Sequence, residues 1–249
     1  MAVARESRQL VTRETGRNRR PNFLDAIHRL RYQVYCLERQ FLDLTAHPEG
    51  RERDEFDAHA IHFAATDGDG EVVATARLVL ESPLGFPLER RAVALAPEYK
   101  NLPRARTGEI SRLIVAPGHR ATEAQLLFGL LKELFEESRR LHLHGLLATM
   151  EHGLWRLLRR LRFPFQPIGE AMDYFGPVTP YWAAVDDLEG GYLKLLDHFQ
   201  RMADRGFTYR YSNVRTPYAE DGVLEEEWSD LGASDIEGSL ISSDLDSLD

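Results

Sequence analysis

The sequence has little cysteine, no long apolar run and no excess of positive charge, and each absence excludes a class of protein. Its 249 residues include one cysteine, Cys36, which excludes an internal disulfide framework and a multi-cysteine metal site. No segment approaches the roughly 18 consecutive apolar residues of a membrane span. The chain has 31 Lys and Arg against 40 Asp and Glu, a net charge of -9, which disfavours nucleic-acid binding.

The negative charge is concentrated towards the C-terminus. Residues 220–249 contain eleven Asp and Glu and no Lys or Arg, which leaves residues 1–219 with a net charge of +2. A segment this rich in Ser, Asp and Gly cannot bury enough apolar surface to offset its ordering entropy, so 216–249 is predicted to be a disordered acidic tail. Residues 1–20 are basic without the apolar core of a secretory signal, and they are predicted to form a mobile arm. The expected location is the cytoplasm.

Residues 21–215 are predicted to form one domain. Asn22 is a suitable helix cap, and apolar residues follow it at helical spacing. Two apolar strands flank the turn sequence Asp-Gly-Asp-Gly at 67–70, which predicts a β-hairpin. The elements expected after the first helix are strands at 61–66, 71–80, 109–115 and 145–150, helices at 122–141 and 152–161, two strands within 169–185, and a helix at 192–205. This order predicts an α/β (α+β) fold, a mixed and mostly antiparallel sheet flanked by helices.

Several polar residues interrupt apolar segments, where a solvated position is not expected. They are Arg31 in the first helix, Asp54 and Asp57 before the first strand, Arg77 in the second strand, and Glu109, Ser111 and Arg112 in the third. Because an unpaired buried charge is costly, the charged groups are expected to pair with one another. They form either a stabilising ion network or a cleft. A cleft would suit an amino acid, since arginine binds carboxylates and aspartate binds ammonium groups.

The order and spacing of these residues resemble those of acyl-homoserine-lactone synthases and, more closely, bacterial N-acyl amino acid synthases. The resemblance is closest to the PEP-CTERM/exosortase system-associated acyltransferases and spans about residues 22–190. It rests on the strings RYQVYCLERQFL, RDEFDAHAIHF, ATARLVLESPLGFPLE, GEISRLIV, ESRRL and LRFPFQPIGEAMDYFGP. All three families have the GNAT fold, which the resemblance therefore implies for this chain.

The resemblance implies acyl transfer from a thioester to an amine, with no tightly bound cofactor. In the GNAT fold the strands at 109–115 and 145–150 splay apart, and the pantetheine arm of the donor lies between them. The turn before the long helix has one glycine, and Glu123 in the first helical turn would repel a phosphate. Acyl-phosphopantetheine on acyl carrier protein is therefore the expected donor, with acyl-CoA as the alternative. The expected donor-binding residues are Ile114, Val115, Arg120, Met150, Arg156 and Arg159.

An acidic carrier protein requires a basic docking surface. Arginines of the helix at 152–161 are candidates for it, and the full set is His119, Arg120, Arg139, Arg140, Arg156, Arg159, Arg160 and Arg162. The same helix also fits ordinary amphipathic packing with a solvated arginine face, or a peripheral contact with a membrane.

The predicted chemistry assigns Glu109 as general base, acting through a water, and Arg112 as the group that orients Glu109 or the acceptor. Residues three apart point to opposite faces of a regular strand, so these two share a cleft only if the strand is bulged. Backbone N–H groups near Ile114 and Val115 are expected to meet the oxyanion. The residues expected to shape the acceptor site are Arg31, Tyr35, Phe41, Asp54, Asp57, Arg77 and Ser111.

The acceptor is expected to be a free amino acid. Lactone synthases have a tryptophan after the first helix, and the matching region here has Phe41, which disfavours a lactone product. Neither the His59/His62 pair nor the His142/His144 pair has an evident third ligand, so no metal site is expected. Two other functions stay open: an acyl-homoserine-lactone (autoinducer) synthase that uses S-adenosylmethionine, and a non-catalytic module that binds a lipid or a carrier protein.

Overall fold

The fold is described from a computed structural model and covers residues 23–90, 95–174, 176–203, 209–216 and 227–229. The helices are α1 (Phe23–Tyr32), α2 (Glu123–Arg140), α3 (His152–Arg160) and α4 (Glu189–Ala203). The strands are β1 (Ala60–Thr66), β2 (Val72–Leu80), β3 (Thr107–Val115), β4 (Gly145–Glu151), β5 (Gln166–Pro167), β6 (Met172–Asp173), β7 (Pro177–Ala184), β8 (Arg210–Arg215) and β9 (Glu227–Ser229). A π-helix, Gln33–Glu38, continues α1.

The strands form one sheet in the order β5-β7-β4-β3-β2-β1-β8-β9, and β6 pairs with β7. The β3–β4 pair is parallel, and the other described pairs are antiparallel. This mixed, mostly antiparallel sheet flanked by helices confirms the architecture predicted from the sequence.

Helices cover both faces of the sheet. Leu126, Leu130 and Leu134 recur along one side of α2 and are buried with the side chain of Phe63 in β1. The neighbouring residue Ala64 points to the other face and packs with α1. No described helix combines the length and the apolarity that crossing a lipid bilayer requires.

Two strands, β8 and β9, were not predicted from the sequence. β8 pairs with β1, and β9 pairs with β8 at the edge of the sheet. The ring of Tyr211 in β8 lies so close to α2 that a Cβ at Gly129 would be 1.9 Å from it, so the packing requires glycine there. β9 lies within the predicted acidic tail at 216–249. The rest of that segment after residue 216, the predicted arm at 1–20 and the predicted cap Asn22 lie outside the described residues.

β3 contains the bulge that the predicted chemistry requires. The β2–β3 register shifts after the Arg77↔Ser111 pair, so that Arg112 and Leu113 together oppose one residue of β2. Arg112 has φ 52°, in the left-handed region that residues other than glycine rarely adopt. As a result, Arg112 can reach the face of the sheet that carries Glu109.

The parallel pairing of β3 with β4 is short. The ladder ends at Ile110↔Ala148, although β3 continues to Val115 and β4 continues to Glu151. The two strands therefore diverge beyond this pair, as the resemblance implied, and their backbones border an open gap.

Candidate active site

A cavity of about 390 Å³ occupies the gap between β3 and β4. It brings together nine of the predicted site residues on one wall or rim: Tyr35, Phe41, Glu109, Ser111, Arg112, Ile114, Val115, Arg120 and Met150. Apolar side chains from α2 and α3, among them Leu127, Leu131 and Leu158, also line it. The cavity thus combines a polar side with an apolar side.

Glu109 lies on the wall of the cavity and is 3% exposed. Its Oε2 atom accepts a hydrogen bond of 2.9 Å from the backbone N–H of Leu88. Leu88 belongs to the 3₁₀ turn Pro87–Arg90, and Pro87 itself lines the cavity. This bond fixes the orientation of the carboxylate and ties the turn to β3.

Arg31 and Arg77 lie behind the cavity wall and are fully buried. Asp57 Oδ1 accepts hydrogen bonds from Arg31 at 2.7 Å and from Arg77 at 2.5 Å. Arg77 also donates to Asp54 Oδ2 and to Ser111 Oγ, both at 3.0 Å. The sequence assigned Arg31, Asp54, Asp57 and Arg77 to the acceptor site, but none of the four lines the cavity. They bind one another and support its wall, because their buried charges require partners.

Glu52 completes this ion network, and the sequence prediction does not include it. Its side chain is 1% exposed and accepts hydrogen bonds from Nε of Arg31 and from Nε and Nη2 of Arg112, the latter at 2.9 Å. Burial acts to raise the pKa of Glu52, but the two arginines lower it to about 2. In the sequence Glu52 stands between Arg51 and Arg53 in a loop, which is typical of a solvated surface. Charge balance did not indicate Glu52, because the three arginines had been matched with Asp54, Asp57 and Glu109, and the carboxylate of Glu109 instead accepts from Leu88 N–H.

Arg112 connects the ion network to the cavity. Its Nη2 atom also donates to Asp54 Oδ2 at 2.9 Å, and its guanidinium lies 5.3 Å from the centre of the Tyr35 ring. Tyr35 belongs to the π-helix, a local widening that often occurs at functional sites. Burial raises the pKa of Tyr35, so its hydroxyl keeps its proton.

The rim of the cavity carries Arg120 and Glu123 at the start of α2. Arg120 donates to both oxygens of Glu38 at 3.1 Å and to Glu123 at 3.4 Å. The positive charge of Arg120 is therefore shared between two carboxylates of the same chain.

Two predicted donor-binding residues, Arg156 and Arg159, do not line this cavity. Both are exposed on α3, and Arg159 lies over the ring of Trp155 at 4.7 Å. Together with Arg162, Arg159 borders a second cavity of about 440 Å³. These arginines can contact a large partner docked outside the cavity, but not a group inside it.

The described residues include a group whose potential metal-ligating atoms lie within 4.8 Å of one another: His28, Asp57 and His62. Arg53 donates a hydrogen bond of 3.0 Å to His28 Nδ1, so the proton of the neutral ring lies on Nε2, the atom that would face an ion. Asp57 already binds two arginines. The group does not suit a cation.

The two buried histidines make the stability of the fold depend on pH. Burial, with Arg31 nearby, lowers the pKa of His28 to about 4, and burial lowers the pKa of His62 to about 3. A histidine of the unfolded chain takes up its proton near pH 6.5, whereas the two buried histidines stay neutral in the folded protein. The stability of the fold is therefore unaffected by their titration above pH 6.5, and it decreases as the pH falls from 6.5 towards 4. We expect the free energy of unfolding to fall by roughly 1.4 kcal/mol per pH unit for each histidine over this range.

Urea denaturation at a series of pH values measures this dependence. His62→Gln removes one titrating group and should reduce the slope below about pH 6.5. A free energy of unfolding that stays constant in the wild type down to about pH 5 would show that neither histidine is held neutral by the fold.

Residues 30–129 match the family model described as the acetyltransferase (GNAT) domain. The matched segment runs from α1 to the first part of α2 and includes the bulged strand. No curated protein matches the sequence significantly. The sheet with its diverging β3–β4 pair and the matched segment together show a GNAT-like fold, and the matched domain is that of an acyl-transferring enzyme.

Solved structures of acyl-homoserine lactone synthases and of an N-acyl amino acid synthase are similar to this fold. MesI, a CoA-dependent acyl-homoserine lactone synthase, is 23% identical with a TM-score of 0.54, over 75% of this chain and 89% of MesI. BjaI, also a CoA-dependent acyl-homoserine lactone synthase, is 20% identical with a TM-score of 0.53, over 70% of this chain and 82% of BjaI. FeeM, an N-acyl amino acid synthase from uncultured soil microbes, is 16% identical with a TM-score of 0.51, over 71% of this chain and 92% of FeeM. At these identities the similarity establishes a shared fold.

Proposed function

We propose that the protein is an N-acyltransferase that moves a fatty acyl group from acyl carrier protein to the amine of a free amino acid. One observation carries this proposal: the cavity between β3 and β4 combines Glu109 and Arg112 with a free stretch of β3 backbone and an apolar wall. The amide groups of a pantetheine arm can pair with that backbone. The acyl chain can lie along Leu127, Leu131 and Leu158.

The reaction forms a C–N bond and breaks the C–S bond of the thioester, and the carrier's thiol leaves with a proton. The attacking amine must lose a proton, and Glu109 is the proposed acceptor, acting through a water. Backbone N–H groups of β3 near Ile114 and Val115 would stabilise the tetrahedral oxyanion. Arg112, held by the buried Glu52, would orient Glu109 or the acceptor. No covalent enzyme intermediate is required.

The distribution of charge favours a carrier protein over CoA as the donor. Arg120 at the rim is shared between Glu38 and Glu123, so it offers little positive charge to a pyrophosphate. In contrast, α3 and the following turn present a set of exposed arginines that have no carboxylate partner among the described residues: Arg156, Arg159, Arg160 and Arg162. An acidic carrier protein would meet complementary charge there. The inner side of α3 lines the cavity through Leu154 and Leu158, so a carrier docked on this helix lies beside the gap.

Replacing Arg156 and Arg159 together with alanine tests this docking surface. We expect KM for the acylated carrier to rise about tenfold and to lose much of its salt dependence, because rim charges act mainly on encounter. The kinetic constants with the matching acyl-CoA should stay unchanged. The control is a double alanine variant of Arg29 and Arg201, which pair with acidic residues of their own helices on α1 and α4. An equal loss with both donors would place the effect in the fold of α3.

Product mass spectrometry tests the proposed reaction. The purified protein is incubated with long-chain acyl carrier protein, a pool of all amino acids and S-adenosylmethionine. The mass of an N-acyl amino acid is the expected result and identifies the acceptor. Carrier binding without any product, across several acyl lengths, would exclude the enzyme and leave a non-catalytic binding module.

A lactone synthase that uses S-adenosylmethionine is the second candidate. It is favoured by the similarity of the fold to MesI and BjaI. An acyl-homoserine lactone in the same experiment would select it.

The strings RYQVYCLERQFL and LRFPFQPIGEAMDYFGP support a further part of the proposal, that the enzyme serves a PEP-CTERM/exosortase system. Because both proposed substrates are metabolites of the cytoplasm, we propose that location for the reaction.

A further inference from the structure

We infer that Arg39 is the residue that binds the phosphate of the donor's phosphopantetheine arm. The inference deepens the proposed function and rests on it, since it assigns a group to the donor of that reaction. Three arginines line the cavity: Arg39, Arg112 and Arg120. They differ in how much of their charge is already neutralised within the chain.

Arg112 and Arg120 are each neutralised by two carboxylates. Arg112 pairs with Glu52 and Asp54 in the buried network. Arg120 pairs with Glu38 at 3.1 Å and with Glu123 at 3.4 Å. The positive charge of each of these guanidiniums is therefore already offset within the chain.

Arg39 is exposed, and among the described residues its guanidinium has no hydrogen bond or ion pair. It directly follows Glu38, and the Glu38–Arg120 pair holds this part of the chain against the turn Pro117–Thr122 before α2. In a GNAT fold this turn is where the phosphates of the donor lie, as the resemblance implies. Arg39 therefore lies at the rim of the cavity, on the side where the phosphate is expected.

The backbone that carries Arg39 is fixed in place. The N–H of Arg39 donates to the carbonyl of Val34 at 2.9 Å and closes the π-helix. The carbonyl of Tyr35 accepts hydrogen bonds from Phe41 N–H at 2.8 Å and from Leu42 N–H at 3.3 Å. Arg39 thus projects from a closed turn, which reduces the entropy lost when its side chain binds a ligand.

The charges at the rim match one particular donor. Arg39 is the arginine of the rim that has no carboxylate partner among the described residues, whereas Arg120 is paired with both Glu38 and Glu123. The phosphodiester of a carrier-bound arm has one negative charge, which one free arginine can neutralise through a charge-assisted hydrogen bond. The several phosphates of CoA would exceed that capacity and would meet the two glutamates.

Ligands that differ by a single phosphate test the assignment. The dissociation constants of phosphopantetheine and pantetheine are measured by calorimetry for the wild type, for Arg39→Gln and for the control Arg201→Gln on α4. We expect the wild type and the control to bind phosphopantetheine about tenfold more tightly than pantetheine, because the phosphate adds one charge-assisted hydrogen bond to Arg39. Arg39→Gln should bind both compounds equally.

The outcomes separate this inference from the proposed function. A phosphate preference that persists in Arg39→Gln, or that is missing from the wild type, overturns the assignment. If Arg39→Gln raises KM for the amino acid and leaves the phosphate preference intact, Arg39 binds the acceptor's carboxylate instead. If the wild type forms no N-acyl product but loses its phosphate preference on substitution of Arg39, the phosphate site stands and the proposed reaction fails.

Discussion

Replacing Glu52 with alanine is expected to lower the free energy of unfolding by about 3–5 kcal/mol. The substitution removes the shared partner of Arg31, which is fully buried, and of Arg112, whose side chain is 15% exposed. Arg31 would keep its charge in the protein interior with Asp57 as its remaining partner, and Arg112 would keep only Asp54. Urea or thermal denaturation measures the loss, and the variant with Glu52→Gln should lie between alanine and the wild type because it retains a hydrogen-bond acceptor.

Asp197→Ala is the matched control for this prediction. Asp197 also pairs with an arginine, Arg201, but both side chains are more than 60% exposed on α4. Exposed pairs of this kind contribute at most about 1 kcal/mol. If the two alanine variants were equally stable, the buried charges of the network would not depend on Glu52 for their compensation.

Replacing Glu109 with glutamine is expected to lower kcat about 10²–10⁴-fold and to leave the fold intact. Glutamine has the same shape and can still accept the hydrogen bond from Leu88 N–H, but it cannot take a proton from the amine. Steady-state rates with the acylated carrier and the acceptor amino acid measure the effect. Carrier binding should be unchanged, because Glu109 lies inside the cavity and the carrier docks outside it.

The control for Glu109 is Glu71→Gln, an exposed glutamate beside the β1–β2 turn, which should retain wild-type rates. A pH–rate profile adds a second readout. General-base catalysis produces a rising limb as the base loses its proton, and Glu109→Gln should remove that limb. A folded Glu109→Gln variant that keeps kcat within a factor of about three would exclude this residue as the base.

Local sequence pattern predicted the elements with strong periodicity. The hairpin of β1 and β2, the long helix α2, and β3, β4 and α3 all lie within a few residues of the predicted bounds. Each has either an uninterrupted apolar alternation or a complete apolar stripe, and the turn chemistry agrees with it. β8 and β9 were not predicted, because β8 is a polar strand whose partner β1 is about 150 residues earlier. A pairing between strands that far apart in the sequence produces no pattern within a short sequence window.

The site was predicted less completely than the fold, for reasons that concern tertiary structure. The pairing of Arg31 and Arg77 with the aspartates followed from the cost of burying charge. The place of Glu52 in the network could not be predicted in this way. Its sequence neighbours are charged, and its burial depends on the packing of a loop. The bulge at Arg112 was required by the chemistry but carries no sequence mark such as glycine.

A single-turnover reaction followed by intact-protein mass spectrometry tests the central claim most directly. Stoichiometric amounts of the enzyme and an acylated carrier protein are mixed with the acceptor amino acid. The account predicts that the carrier loses the mass of its acyl group, that the enzyme's mass does not change, and that an equal amount of N-acyl amino acid appears. An acylated enzyme, or a carrier that keeps its acyl group in the presence of every amino acid, would contradict direct transfer in the cavity between β3 and β4.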